Sequence, residues 1–289
     1  MAAVRKALIF SVLYGLSAVA SQGADNGQYW LANPTPKDQL RDLTTDRPDL
    51  TESPMTVDAG WYQVEVNAFG FSRSRPDADG VETDTYDYAT TNIRVGLTHN
   101  AEIGVVLQPY GVVRIRPSAD PGSSQDDGIG GLEIRGKLNL FGNDAFDGPG
   151  DSALALLPFV TLPTDRDNGI SPEGVEGGLI VPFAVVLPKG FGLGINGGVT
   201  AVRDGEGSGY HAEYLGSAAL SQEWSERFGT YYEIATALGT DDPRGEILIL
   251  GTGFTYLVTP NLQLDGGVNF GVTSASDRIN PFVGLTSRF

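Results

Sequence analysis

Charged and amide side chains recur at every second position in several short segments of this 289-residue chain. In 131–140, "GLEIRGKLNL", Glu133, Arg135 and Lys137 alternate with Leu132, Ile134 and Leu138. Gln63, Glu65 and Asn67 do the same in 61–71, and Asn92 and Arg94 in 89–97. Further positions of this kind are Glu102, Asn196, His211, Glu213, Glu233, Gln263, Asp265, Asn269 and Arg288. Rows of charge on one face of a chain do one of two things. They present a field to a wet passage and filter solutes, or they pair with one another and brace an interior. The signs here are mixed, so strong ion selectivity is not expected.

Other chemistries are poorly served. A hydrolase needs a nucleophile, a base and an orienting group within reach. Only His99 and His211 offer an imidazole, and no G-x-S-x-G elbow occurs. Cysteine is absent, which excludes thiolate metal or redox centres and disulfides. "DADG" at 77–80 opens like a calcium loop but lacks the bidentate glutamate at the twelfth position. The expectation is therefore no enzyme activity, no cofactor and no metal. A formal net charge of −17 also argues against a nucleic acid partner, whose phosphates demand an excess of Lys and Arg.

Period-two alternation is the signature of β-strands with two unlike faces. Twelve such segments lie near 60–72, 84–98, 101–114, 129–141, 152–162, 177–187, 191–203, 209–221, 227–239, 245–258, 262–272 and 280–289. Those at 152–162 and 177–187 are apolar on both faces. Their prolines, Pro158 and Pro182, count against central strands because proline removes a ladder donor. The connections sort by length. "THN", "PKG", "SQEWSER" and "TPN" are short, those at 72–83, 115–128, 163–176 and 273–280 are long, and the first three long ones are rich in Asp and Glu. The connection at 141–151 breaks the alternation, being long where a short one is due.

Sorted loops, an even strand number, and strands polar on one face and apolar on the other describe a transmembrane antiparallel β-barrel of the bacterial outer membrane. The all-β fold expected is a twelve-stranded barrel over 60–289 with both ends of the barrel chain on the periplasmic side. Residues 1–20 read as a secretory signal peptide: Arg5 and Lys6, the apolar run at 7–16, and Ala18 and Ala20 in A-x-A spacing. Residues 21–59 form an irregular pre-barrel segment. The last residue, Phe289, on an alternating strand resembles the signal that hands bacterial barrels to their assembly machinery. Trp61, Trp224, Phe228, Tyr231, Tyr232, Tyr256 and Phe289 are candidates for a periplasmic aromatic girdle.

The stretch "TDRPDLTESPMTVDAGWYQVEV" at 45–66 resembles the opening of a bacterial outer-membrane family named for the meta-pathway of phenol degradation. Thr45, Asp46, Arg47, Pro48, Asp49, Thr51, Glu52, Ser53, Pro54, Gly60, Gln63 and Glu65 carry the match. It continues through "GLTHNAEIGV", "LPFVTLPTDR", "FGLGINGGV", "YYEIATALG", "TYLVTPNLQLDGGVNFGVT" and the final "GLTSRF". His99 and Asn100 stand where the family often has Asp-Arg, and Asp165 where glycine is usual. The resemblance implies a barrel that passes small hydrophobic or aromatic molecules by passive diffusion. The alternative is a closed barrel with a structural or interaction role. Expected partners are such solutes, outer-membrane lipid, lipopolysaccharide and the assembly machinery.

Pro48 and Pro54 stiffen the approach to the first strand and keep it out of the sheet. Residues 45–54 are therefore expected to fold into or across the periplasmic mouth as a plug carrying Asp46, Arg47, Asp49 and Glu52. Arg47 is expected to pair with a lumen carboxylate such as Glu65 or Glu233. The lumen-lining candidates are Glu65, Asn67, Arg94, Glu133, Arg135, Lys137, Glu213, Glu233, Asp265, Asn269 and Arg288.

Overall fold

A computed structural model describes residues 26–117, 123–165, 169–204, 209–240 and 245–289. The proposed signal peptide lies outside the described residues. Alternation produces strands almost everywhere it was expected: β1 (Tyr62–Arg73), β2 (Glu82–Thr98), β3 (Ala101–Leu107), β4 (Tyr110–Arg116), β5 (Ser124–Gly128), β6 (Leu132–Phe141) and β7 (Ser152–Leu162). They are followed by β8 (Glu176–Leu187), β9 (Phe191–Arg203), β10 (Tyr210–Ser225), β11 (Phe228–Gly239), β12 (Ile247–Thr259), β13 (Leu262–Gly271) and β14 (Asn280–Arg288). All pairings are antiparallel, and β1 pairs with both β2 and β14, so the sheet closes. Of the fourteen strands, β4 and β5 stand outside the ring, which leaves twelve in the barrel.

Those two strands correct the sequence reading. The segment at 101–114 breaks at Gln108 and Pro109, and the segment at 129–141 starts as a strand only at Leu132. Pro109 has no N–H to donate to a ladder. Beyond the break, β4 pairs with the outer half of β2, and β5 pairs with β4. The sequence pattern runs 110–114 on from the preceding strand and leaves 115–128 as a loop, whereas the two together form a hairpin that extends the sheet past the rim. β2 bends at the same level, with Ala89 at φ 52.

β7 and β8 are central strands despite their prolines. The register skips from Arg135↔Phe159 to Leu138↔Leu156 across Pro158, and from Leu154↔Phe183 to Leu157↔Ile180 across Pro182. Each proline thus interrupts the ladder on one side and keeps its other neighbour.

The outside of the ring is apolar. Ile93, Leu140, Ile234, Leu250, Phe270 and Val283 are among the exposed large side chains. Such a surface belongs in hydrocarbon, where a closed barrel leaves no backbone group unpaired. Trp224, Phe228, Tyr232, Tyr256 and Phe289 are exposed toward the end where β14 finishes. Tyr231 and Trp61 are not in this group. Tyr231 is buried on the inner face of β11, on the same side as Glu233. The indole of Trp61 donates to the Thr35 carbonyl. Phe289 exchanges backbone hydrogen bonds with Tyr62, at the seam between β14 and β1.

Candidate functional site: a filled lumen

The inward faces of the strands do not enclose water alone. Residues 41–58 pass through the lumen and touch its wall on every side. The segment has two prolines in ten residues and no alternation, so its backbone groups find partners in the wall rather than in a ladder. The Pro54 carbonyl accepts from Asn139 on β6, the Met55 carbonyl from Arg94 on β2, and Glu102 on β3 accepts from the Val57 N–H. On the opposite wall Glu233 of β11 accepts from the Leu50 N–H at 3.0 Å and from the Thr51 hydroxyl at 2.6 Å. Thr51 also meets Ser217 of β10 at 2.8 Å.

Arg94 is the centre of this arrangement and is completely buried. Its guanidinium reaches Glu102 and Glu65 at 2.8 Å each and Asp46 of the inserted segment at 3.3 Å. Lys137 approaches the other Asp46 oxygen at 2.5 Å. Two cations thus face three carboxylates, and Gln63 adds a neutral donor to Glu65. A second group lies beside it. Arg135 bridges Glu52 of the segment, at 2.9 Å, to Glu133 of its own strand. At the mouth where β14 ends, Arg288 reaches Asp58 at 3.1 Å, and Arg41 reaches the other Asp58 oxygen at 2.8 Å.

Arg47 pairs with neither expected carboxylate. Glu65 is taken by Arg94 and Glu233 by Thr51, and Arg47 reaches Asp265 of β13 at 2.7 Å. Asp46, Arg47 and Glu52 thus meet Glu65, Arg94, Arg135, Lys137 and Asp265 of the inward register. Asn67, Glu213 and Asn269 also stand on the inward register but outside this network. Asn269 donates to Asn280 instead.

Several contributors were missing from the sequence-based site: Arg41, Thr51, Asp58 and Asn143. Asn143 sits in the anomalously long connection between β6 and β7. Its side-chain Oδ1 accepts from the Thr56 N–H at 3.1 Å and its side-chain NH2 donates to the Thr56 hydroxyl at 2.7 Å. The misfit in loop length was the available signal, since that loop folds across the mouth to hold the segment.

The inserted segment has an electrostatic asymmetry. Burial tends to raise the Asp46 carboxyl, but Arg94 and Lys137 outweigh it and hold it at about 2. Burial pushes Glu52 the other way, up to about 7, against the pull of Arg135. Burial and the neighbouring Glu233 raise Asp49 well above the usual carboxylate range. A group whose pKa is raised on docking favours docking below its free value and loses that contribution as pH rises through its docked value. For Glu52 this window runs from its ordinary 4.5 to about 7. Asp46 stays ionised throughout it and keeps its contribution. Single-channel conductance is therefore expected to rise severalfold from about pH 5 to about pH 8 as the segment loosens. Glu52→Gln should flatten that profile; a profile that Glu52→Gln leaves unchanged would contradict the assignment.

On the side of the segment away from the mouth where β14 ends, the lumen changes character. Leu50 projects from the tip into a cavity of about 170 Å³ lined by Ile180, Leu215, Ala235, Ala237, Ile247 and Ile249, with Asn196 and Ser217 at its base. The inner faces of β7 and β10 continue the theme with Ala153, Ala155, Leu157 and Ala219, all buried. The lumen is thus ionic on the β1, β2, β3 and β6 side and apolar around Leu50 and along β7, with Glu233 and Asp265 as charged positions on the facing strands.

A family model described as "Putative MetA-pathway of phenol degradation" matches residues 45–289. The chain belongs to this family. The match begins at Thr45, so the inserted segment belongs to the family pattern together with the barrel. The fold is similar to the COG4313 outer membrane channel from Pseudomonas putida F1, with a TM-score of 0.62 at 12% identity, covering 85% of this chain and 100% of that one. The NanC porin gives a TM-score of 0.49 at 9% identity, covering 78% and 98%. A monoaromatic hydrocarbon channel, CymD, gives 0.40 at 9%, covering 79% and 88%. Comparison with curated proteins returned no match.

Proposed function

We propose that this barrel is a passive, non-enzymatic channel of the bacterial outer membrane for small apolar molecules, aromatic compounds among them. The observation that carries the proposal is the cavity above Leu50. An apolar cavity of about 150 Å³ is enough to take up benzene, and this one has about 170 Å³ with aliphatic walls. A solute entering from the extracellular side meets that cavity first and the ionic network second. Passage then requires residues 41–58 to shift, with the solute moving down its own gradient. In this reading Asp46, Arg47, Asp49 and Glu52 belong to a plug, and the inward charges hold it rather than select ions. The outward Phe289 fits a signal to the barrel-assembly machinery.

The filled lumen also favours a second reading, a closed barrel with a structural role. Uptake of a labelled monoaromatic by Gram-negative cells separates the two. Cells carrying the barrel are expected to take it up severalfold faster than cells without it, with glucose uptake unchanged. Ala235→Asp, which places a charge in the cavity wall, should remove most of the gain. Equal uptake with and without the barrel would leave the structural reading standing.

A further inference from the structure

The lipid-facing wall carries a feature that solute passage does not use. Between β12, β13, β14 and β1 the outer surface is hollowed to about 450 Å³. The floor is Gly253, Gly266 and Gly267, and Phe69, Phe254, Val268, Pro281 and Val283 stand around it. Glycine at 266 matters to the shape. A Cβ there would sit 3.3 Å from the Phe254 ring and 3.4 Å from Val283. Gly266 of β13 thus withholds an outward side chain at this spot, and Gly253 of β12 and Gly267 of β13 add bare backbone, since a Cβ on either would point inward at Tyr231.

Above it, toward the extracellular rim, the same face becomes aromatic and then cationic. Phe69 pairs across to Tyr88, Phe71 to Tyr86 and Arg73 to Asp84. The first two ring pairs lie 5.6 and 5.2 Å apart. Arg73 lies over the Phe71 ring at 5.5 Å and Arg114 over the Tyr86 ring at 5.8 Å. Asp84 is 1% exposed and holds Arg73 through both carboxylate oxygens while also pairing with Arg116. Arg278 is half exposed, with Glu82 at 3.9 Å. Four guanidiniums share this face with Glu82, Asp84 and, one strand further, Asp127, whose carboxylate accepts from Tyr110. The patch is thus net cationic on a chain whose net charge is −17. Of its acids Asp84 is buried, while Arg73, Arg116 and Arg278 are all partly exposed.

The spacing joins the two features. Arg73 is four residues above Phe69, and Arg278 is three residues before Pro281. At about 3.3 Å per strand residue, the cations sit roughly 10–13 Å up the wall from the hollow. A ligand that fills both has an anionic head, a short vertical offset and an apolar chain.

We propose that this wall binds one molecule of lipopolysaccharide. A lipid A phosphate would lie on Arg278, whose half-exposed planar fork suits phosphate oxygens, and against the edge of Arg73 that Asp84 does not hold. One acyl chain would descend along the β1–β14 seam into the hollow over Gly266. The rim end of the barrel faces the outer leaflet, where the phosphorylated and acylated glycolipid resides, which favours it over a phospholipid.

Native mass spectrometry of the detergent-solubilised full chain tests this with three probes: lipid A, dephosphorylated lipid A and phosphatidylglycerol. Wild type is expected to retain one lipid A. Loss of one charged partner corresponds to about a tenfold weakening. That effect is expected for Arg278→Gln and again for dephosphorylated lipid A. Val283→Trp, which occupies the hollow from an exposed position, should weaken binding similarly without touching the phosphate contacts. Heat-modifiable gel mobility confirms that each variant is folded. Undiminished retention in both folded variants, or tighter binding of phosphatidylglycerol than of lipid A, would overturn the proposal.

Discussion

Replacing Arg94 with alanine is expected to drive residues 41–58 out of the lumen. The substitution leaves Asp46, Glu65 and Glu102 around a cavity in which, among the described residues, Lys137 is the cation still paired to them. Removing one partner of a buried ionic network costs about 3–5 kcal/mol, because the remaining charges stay desolvated. Asp46 is the carboxylate best able to escape, since it lies on the inserted segment rather than in the wall. Departure of Asp46 also withdraws a partner from Lys137, so the loss spreads to β6. The measurable results are a large, steady conductance and protease cleavage within the released segment, with the barrel still folded. Arg94→Lys should give an intermediate effect, because an ammonium cannot serve three carboxylates with the directed geometry of a guanidinium. Wild-type conductance in folded Arg94→Ala would show that the network does not hold the segment.

Excising residues 45–54 is expected to have the largest effect on conductance. It removes Asp46, Arg47, Thr51 and Glu52 together, and leaves Asp265, Glu233 and Arg135 facing water that can solvate them. The complementary experiment locks the segment. The chain has no cysteine, and the Thr51 and Ser217 hydroxyl oxygens are 2.8 Å apart. A Thr51→Cys/Ser217→Cys pair falls within the reach of a disulfide, whose β-carbons sit about 3.5–4.5 Å apart. Oxidation should abolish uptake of the labelled aromatic, and reduction should restore it. Uptake that survives a complete crosslink would mean that solutes do not need the segment to move.

Much of the wall was legible because a barrel strand repeats every two residues and each face has its own solvent. Glu133, Arg135 and Lys137 all point inward, as their spacing requires. The same register places Tyr231 with Glu233, so its exclusion from the aromatic girdle was available from the sequence and was missed. The inner faces of β7 and β10 were harder. Alternation presumes a wet interior, but here the interior is partly protein, so Ala153, Ala155 and Leu157 face inward and the polar signal vanishes. The partner of Arg47 was beyond local pattern altogether. It depends on which carboxylates are already taken, and that is decided by Arg94 and Thr51 on opposite walls. The break at Pro109 was visible as a proline but not as the root of a hairpin that outlasts the barrel.

The order of the chain gives the inserted segment a second consequence, in how the cylinder is made. Residues 41–58 precede every strand, and their partners lie on β2, β3 and β6 early in the chain and on β10, β11, β13 and β14 late in it. The seam joins β1 to β14, and Arg288, near the end of β14, holds Asp58 just before β1. A finished cylinder leaves only its mouths for a segment to thread through, whereas an open sheet can wrap around one already in place. The segment is therefore positioned to act as a mandrel. Its early contacts with Arg94 and Glu102 fix it to the first strands, and its late contacts with Asp265 and Arg288 draw the last strands around it, so that the seam shuts on a lumen already occupied.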